Sequence, residues 1–320
     1  MIAGGGVCRA MARPFGAQSE YGNLRKVLLS RPGPELQQVT FHQVKRFGFR
    51  DQVWWGGFLR EWEALRTLLQ GEGVEVIDVR TLVGEQVASG CFNMPYTRDS
   101  SIVTNEGAVI LNAGLPTRAG ESEALRMAYE KLGVPILGQI KDPGTVEGGG
   151  VSFLDPRTLL VAQCSRTNGR GIQQLRELLF KHNVVDTVLQ LDVGRDQVHI
   201  DGAFLKVRSD LAICADHRLR GRPVLANLRE GGSHQWPDLM AYLKEQKIVE
   251  LVINEVEEYG MAANVLMLST SKCIGYEWNE RIAELLKDHG IELLPTAGAE
   301  LSRGGGGPHC LTAPLLRDDP

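Results

Sequence analysis

Four short stretches gather polar, titratable residues, either beside glycine or in dense clusters at strand ends. They are Tyr96, Thr97, Arg98 and Asp99; Glu147 with Gly148, Gly149 and Gly150; His199, Ile200, Asp201 and Gly202; and the run 304–310, four glycines followed by Pro308, His309 and Cys310. Glycine lets backbone and ligand come close, so acid, imidazole and thiol in such settings are candidates for a site. A cysteine is a nucleophile only with thiolate character, which a nearby histidine or a cationic substrate supplies. Asp99, Glu147 and Asp201 crowded into one cavity would repel one another unless a cation sat among them. A planar guanidinium, with five N–H donors in a fixed fork, meets that need. The set suits attack on an amidino carbon. It suits a peptide bond poorly, because acyl transfer wants oxyanion donors.

Each residue also has a plainer use. Cys310 could be an inert buried thiol, His199 a satisfied core histidine and Glu147 a turn cap. Asp99 could form an ion pair with Arg98 that contributes little at a surface. The glycine-rich approach to Cys310 and the His-x-Asp spacing weigh towards chemistry. Arg118 and Arg166 stand evenly between solvated and ligand-binding residues. The other cysteines read as packing, and His217, His234 and His289 as surface or helix-end residues. A metal is the rival use, since His199 and Asp201, two apart on a strand, would point the same way. No third ligand stands at a recognisable spacing, so neither a metal nor an organic cofactor is expected.

The elements that must position these residues follow from periodicity. Apolar residues at three- and four-residue spacing predict helices over 58–69, 121–132, 171–182, 237–246 and 279–289. After each comes a short strand-like run, starting at Val74, Val134, Val184, Ile248 and Ile291, often across a Gly or Asn that suits a helix C-terminus. Further apolar runs precede the helices. The unit is strand, strand, helix, strand, recurring about five times at intervals of roughly 40–60 residues, which suggests modules arrayed around a centre. A doubly wound sheet is the plainer home for such alternation, but neither GxGxxG after the first strand nor GxxxxGK[ST] is present.

With 320 residues, 43% of them hydrophobic, the chain can build a proper core. No low-complexity linker divides it, so 19–320 reads as a single domain behind a flexible tail over 1–18. A net charge of −4 argues against a nucleic-acid partner. No apolar run reaches the ~20 residues of a membrane span. The start lacks the pattern of a secretory signal, and six scattered cysteines form no CxxC pair, so a reducing cytoplasm is the expected location. A homo-oligomer is left open.

The combination resembles the guanidino-group-modifying superfamily, with its arginine deiminases, dimethylarginine hydrolases, agmatine deiminases and amidinotransferases. It is most similar to arginine deiminase. The resemblance rests on SEYGNLRKVLLSRPGPELQQV at 19–39, YTRDS at 96–100, VEGG at 146–149, CSRTN at 164–168, HID at 199–201 and GGPHCLTAPLLRD at 306–318. It implies an α/β fold, a five-bladed pseudo-symmetric propeller of ββαβ modules (pentein). It also implies Cys310 as nucleophile, His199 as general acid–base, Asp99 and Asp201 as acids gripping a guanidinium, and Glu147 supporting both histidine and substrate. Arg118 and Arg166 fall where the family places arginines for a substrate carboxylate. The implied function is a deiminase-type hydrolase acting on arginine or a related small guanidino compound through a covalent Cys310 intermediate. The alternative is an amidinotransferase, and a binding protein on a degenerate enzyme fold is a more distant one. Three departures bear on the substrate: Gly150 stands where the family has a carboxylate, His309 where arginine deiminases have arginine, and the usual helical insertion is absent.

Overall fold

The structure, a computed structural model, describes residues 13–319. Helix Trp55–Gly71 buries Phe58, Trp62, Leu65 and Leu69, the spacing that turns one face to a core. Gly169–Lys181 does the same with Ile172, Leu175 and Leu179, and Glu280–Asp288 with Ile282 and Leu286. Ala119–Lys131 and Leu239–Glu245 complete the five expected helices. Two residues beyond each helix the backbone turns left-handed, at Gly73, Gly133, Asn183, Lys247 and Gly290. That turn ends the helix and directs the chain into the next strand.

Five sheets are present among the described residues, and they share one plan. A first strand pairs antiparallel with a second, which pairs parallel with a third across the helix. The sets are Ser101–Val103, Ala108–Ile110 and Ile136–Gln139; Val151–Asp155, Thr158–Gln163 and Thr187–Asp192; Phe204–Arg208, Leu211–Cys214 and Val249–Val252; and Leu266–Ser269, Lys272–Tyr276 and Glu292–Thr296. In the fifth, Ala313–Arg317 pairs with Leu24–Leu29, which pairs with Glu75–Asp78, so the two ends of the chain share one sheet. The periodicity misses one hairpin, Val224–Leu228 with Ser233–Trp236, which widens the second sheet to five strands. Its exposed, polar outer strand carries no apolar alternation to read.

Of the segment expected to be a tail, residues 1–12 lie outside the described residues. Residues 16–18 are held: Gly16 N–H donates to Leu315 O, and Gln18 Nε2 donates to Pro156 O. No helix among the described residues is long and apolar enough to cross a membrane.

Candidate active site

The chain enters the first strand of every sheet through a tight turn, and these turns carry the polar residues. Asp99 lies in Thr97–Ser100. Glu147 stands before Gly148–Gly150, and His199 before Ile200–Gly202, which holds Asp201. Asn264 follows the turn 260–263, and Cys310 lies in the turn 308–311. The segment ahead of helix Gly169–Lys181 fixes Glu147. Thr167 Oγ1 accepts from Glu147 N–H, while Asn168 caps helix Gly169–Lys181. Gly149 has to be glycine, because a Cβ there would come within 2.5 Å of His199 Nδ1.

One wall of the cavity is acidic. His199 Nε2 lies 2.8 Å from Glu147 Oε2, and its Nδ1 3.7 Å from Asp99 Oδ1. Gly114 N–H donates to Glu147 Oε1, and Gly149 N–H to Asp99 Oδ1. The opposite wall holds Cys310, whose Sγ is 3.1 Å from Asp201 Oδ2 and accepts from Asn264 Nδ2 at 3.1 Å. Asn264 Oδ1 accepts from the Cys310 and Gly307 backbone N–H groups, so one amide fixes both the thiol and its loop. Asp99, Arg118, Glu147, Arg166, His199 and Cys310 line a common cavity, and Asp201 lines the adjoining one, which shares His199.

The charges follow from these contacts. Burial pushes the Asp99 carboxyl up, but His199 and Arg118 override it and hold it at about 2. Glu147 is lowered: burial opposes, and His199 and Arg118 prevail. Burial works against the imidazolium of His199, yet Asp99, Cys310 and Glu147 raise it well above its ordinary value. Glu121, buried behind the acidic wall, is pushed up to about 7, chiefly by burial and against the pull of Arg118. The acidic wall therefore holds Asp99 and Glu147 ionised and His199 protonated at neutral pH.

Six of the seven residues expected at the site line this cavity, and the seventh borders it. Two of them stand differently from the simplest expectation. His199 and Asp201 do not share a strand face: His199 is extended backbone ahead of a turn that contains Asp201, and the two side chains face opposite walls. Arg118 is almost fully buried and already engaged, by Asp99 at 2.5 Å, by Glu121 at 2.8 Å and by Tyr96 O at 3.1 Å. Arg166 is the less enclosed arginine, 3.8 Å from Glu147. Asp99, Glu147 and His199, and separately Asp201, His309 and Cys310, bring metal-ligating atoms within 4.8 Å of one another, but those atoms already have protein partners. Sequence reasoning missed Asn264 and Glu121, whose types are common and whose neighbours carry no motif. It also missed the place of His309, which is buried behind Asp201 rather than facing the cavity.

A thiol, an imidazolium and carboxylates carried on the turns of five like modules match the arrangement that the resemblance to the guanidino-group-modifying superfamily implies. A family model for arginine deiminase matches residues 87–317, and the chain belongs to that family. Arginine deiminase of Mycolicibacterium gilvum is 25% identical over 406 aligned positions, covering 95% of this chain and 98% of that one. That of Rhodococcus opacus is 26% identical at the same coverage. Because 95% of a 320-residue chain is spread over 406 positions, about a hundred positions of the relative have no counterpart here. Among solved structures, dimethylarginine dimethylaminohydrolase from Pseudomonas aeruginosa, complexed with citrulline, aligns with a TM-score of 0.69 at 17% identity over 92% of this chain and all of that one. An amidinotransferase from Microseira wollei aligns with a TM-score of 0.69 at 16% identity over 95% and 97%. The likeness to these two is one of fold.

Proposed function

We propose that the protein is a guanidine hydrolase of the deiminase type, built as a five-bladed propeller with its site on the central axis. The observation that carries this reading is the placing of Cys310 opposite His199 and its two carboxylates in one cavity. The substrate guanidinium lies between Asp99, Glu147 and Asp201, which offset its charge. Cys310, as thiolate, attacks the guanidino carbon and forms a C–S bond. The His199 imidazolium gives its proton to the departing nitrogen, which leaves as ammonia. A covalent amidino thioether remains on Cys310. Neutral His199 then takes a proton from water as the oxygen bonds to carbon. Collapse breaks the C–S bond, frees the thiolate and releases a ureido product, with the last proton passing to solvent.

Arg166 supports a carboxylate on the substrate, since its guanidinium reaches the cavity and Glu147, 3.8 Å away, is its one ion-pair partner among the described residues. Arg118 would have to release Asp99 or Glu121 to serve the same purpose. Incubation with L-arginine and glycine, followed by mass spectrometry of citrulline and ornithine together, tests the reading. Citrulline alone establishes the deiminase. Ornithine with guanidinoacetate replaces it with an amidinotransferase, and neither product directs the search to another guanidine. Binding without turnover of any guanidine would leave only a binding role.

A further inference from the structure

Behind Asp201 lies a second charged cluster that the reaction above does not use. The His309 ring is sealed from solvent, with Nδ1 2.9 Å from Asp201 Oδ2 and Nε2 3.1 Å from Glu20 Oε2. A carboxylate oxygen only accepts, and neutral imidazole has one N–H, so both contacts are hydrogen bonds only when the ring carries two protons. Glu20 is fixed in turn. Ser19 Oγ accepts from the Tyr21 and Gly22 N–H groups, forming a turn that directs Glu20 inward. Phe153 N–H donates to Glu20 Oε1, and Arg98 Nη1 stands 3.6 Å from Oε2. Arg98 Nε donates to His309 O, and its N–H to Cys310 O. The Ser-Glu-Tyr opening and the arginine of Thr-Arg-Asp thus converge on the residue beside the thiol.

We infer that His309 is a positioning residue: an imidazolium clamped between Glu20 and Asp201, it keeps the Asp201 carboxylate charged and aimed at Cys310. Asp201 Oδ2 meets two donors, the His309 ring and the Cys310 thiol, and a cation behind it keeps it ionised even when the cavity is empty. The charged groups around His309 are Asp201, Glu20, Arg98 and Cys310. Those around Asp201 are His309, Cys310, His199 and Asp99. Burial and Arg98 work against the charged ring, and Asp201, Cys310 and Glu20 override them and raise it to about 10. The inference rests on Cys310 as nucleophile, but its test needs no turnover.

The probes are two alkylating agents of nearly equal shape, cationic chloroacetamidine and neutral chloroacetamide. The rate of Cys310 alkylation by each is followed by peptide mass spectrometry between pH 5.5 and 9. Wild type should prefer the cation throughout, and Asp201→Asn should lose at least about tenfold of that preference at every pH. In His309→Gln the preference should fall about tenfold at pH 6 and recover towards pH 9, as an Asp201 no longer backed by a cation regains its charge. A merely structural role would lower both rates together and leave their ratio flat with pH. A His309→Gln ratio equal to wild type across the range overturns the inference, as does a wild type with no preference. Should His309→Gln fail to fold, Glu20→Gln should show the same pH-dependent loss at smaller size, and a flat wild-type ratio there overturns it equally. Preserved preference without a ureido product from any guanidine would sink the proposed reaction and leave this inference standing.

Discussion

Each wall of the cavity is backed by a histidine between two carboxylates with an arginine behind, and the two histidines differ in access. On one, His199 lies between Glu147 and Asp99, with Arg118 behind. On the other, His309 lies between Asp201 and Glu20, with Arg98 behind. The side chain of His199 retains 9% of its exposure and that of His309 only 2%. An imidazolium that touches the cavity can pass its proton to substrate and recover it from water. One sealed behind a carboxylate holds a charge and nothing else. Access, more than composition, separates a proton donor from a fixed electrostatic support.

The comparison breaks first at the proposed nucleophile. Cys310→Ser should lower kcat for any guanidine substrate by at least about a thousandfold while leaving Tm nearly unchanged; residual turnover near wild type would place the chemistry elsewhere. Glu147→Gln should lower kcat by roughly ten- to a hundredfold. It removes one of the carboxylates that raise His199, so the alkaline limb of the kcat–pH profile should move to lower pH. The corresponding change on the sealed wall, Glu20→Gln, should leave that limb in place.

A third measurement follows stability against pH. His309 is raised from 6.5 to about 10, so its contribution is complete below pH 6.5, declines across pH 6.5–10 and is gone above. Linkage sets the slope at no more than about 1.4 kcal/mol per pH unit. Glu20 is lowered from 4.5 to about 2, burial opposing and Arg98 and His309 prevailing, so its contribution is present above pH 4.5 and lost on descent towards 2. Urea melts of His309→Gln should show a flatter alkaline decline than wild type. The smallest effect is expected of Arg166→Ala. It should raise KM about tenfold for a guanidine bearing a carboxylate and change it little for the decarboxylated analogue. Equal effects on both would remove the argument for a carboxylate substrate.

The repeating unit was legible because each module spells it with the strongest local signals: an apolar face at three- and four-residue spacing, then a left-handed stop. Trp55–Gly71 and Gly169–Lys181 are the plainest cases. Cys310, His199 and Glu147 were legible because glycine within a few residues marks close approach, and Asp99 because it stands in a dense polar cluster. Asn264 was not, since an asparagine among apolar residues looks like any turn residue until the thiol it holds is in view. His309 could be seen but not placed, because whether a side chain meets the cavity or its back depends on the packing of Glu20, some 290 residues earlier in the chain. Strand length and periodicity carry no information about that.

The pairing of Ala313–Arg317 with Leu24–Leu29 has a consequence for the timing of synthesis. The partner of Leu24–Leu29 is made 284 residues after that strand is complete. At a translation rate of roughly 5–20 residues per second, the early strand waits about 15–60 s with that edge unpaired. Glu20, Arg98 and Asp201 meet the ring that separates their charges only at the close of that interval. Until then no part of the nascent chain holds a completed thiol wall. Ribosome-arrested chains ending before residue 309 should therefore stay sensitive to protease around 16–29, and protection there before 313–317 emerges would contradict this order.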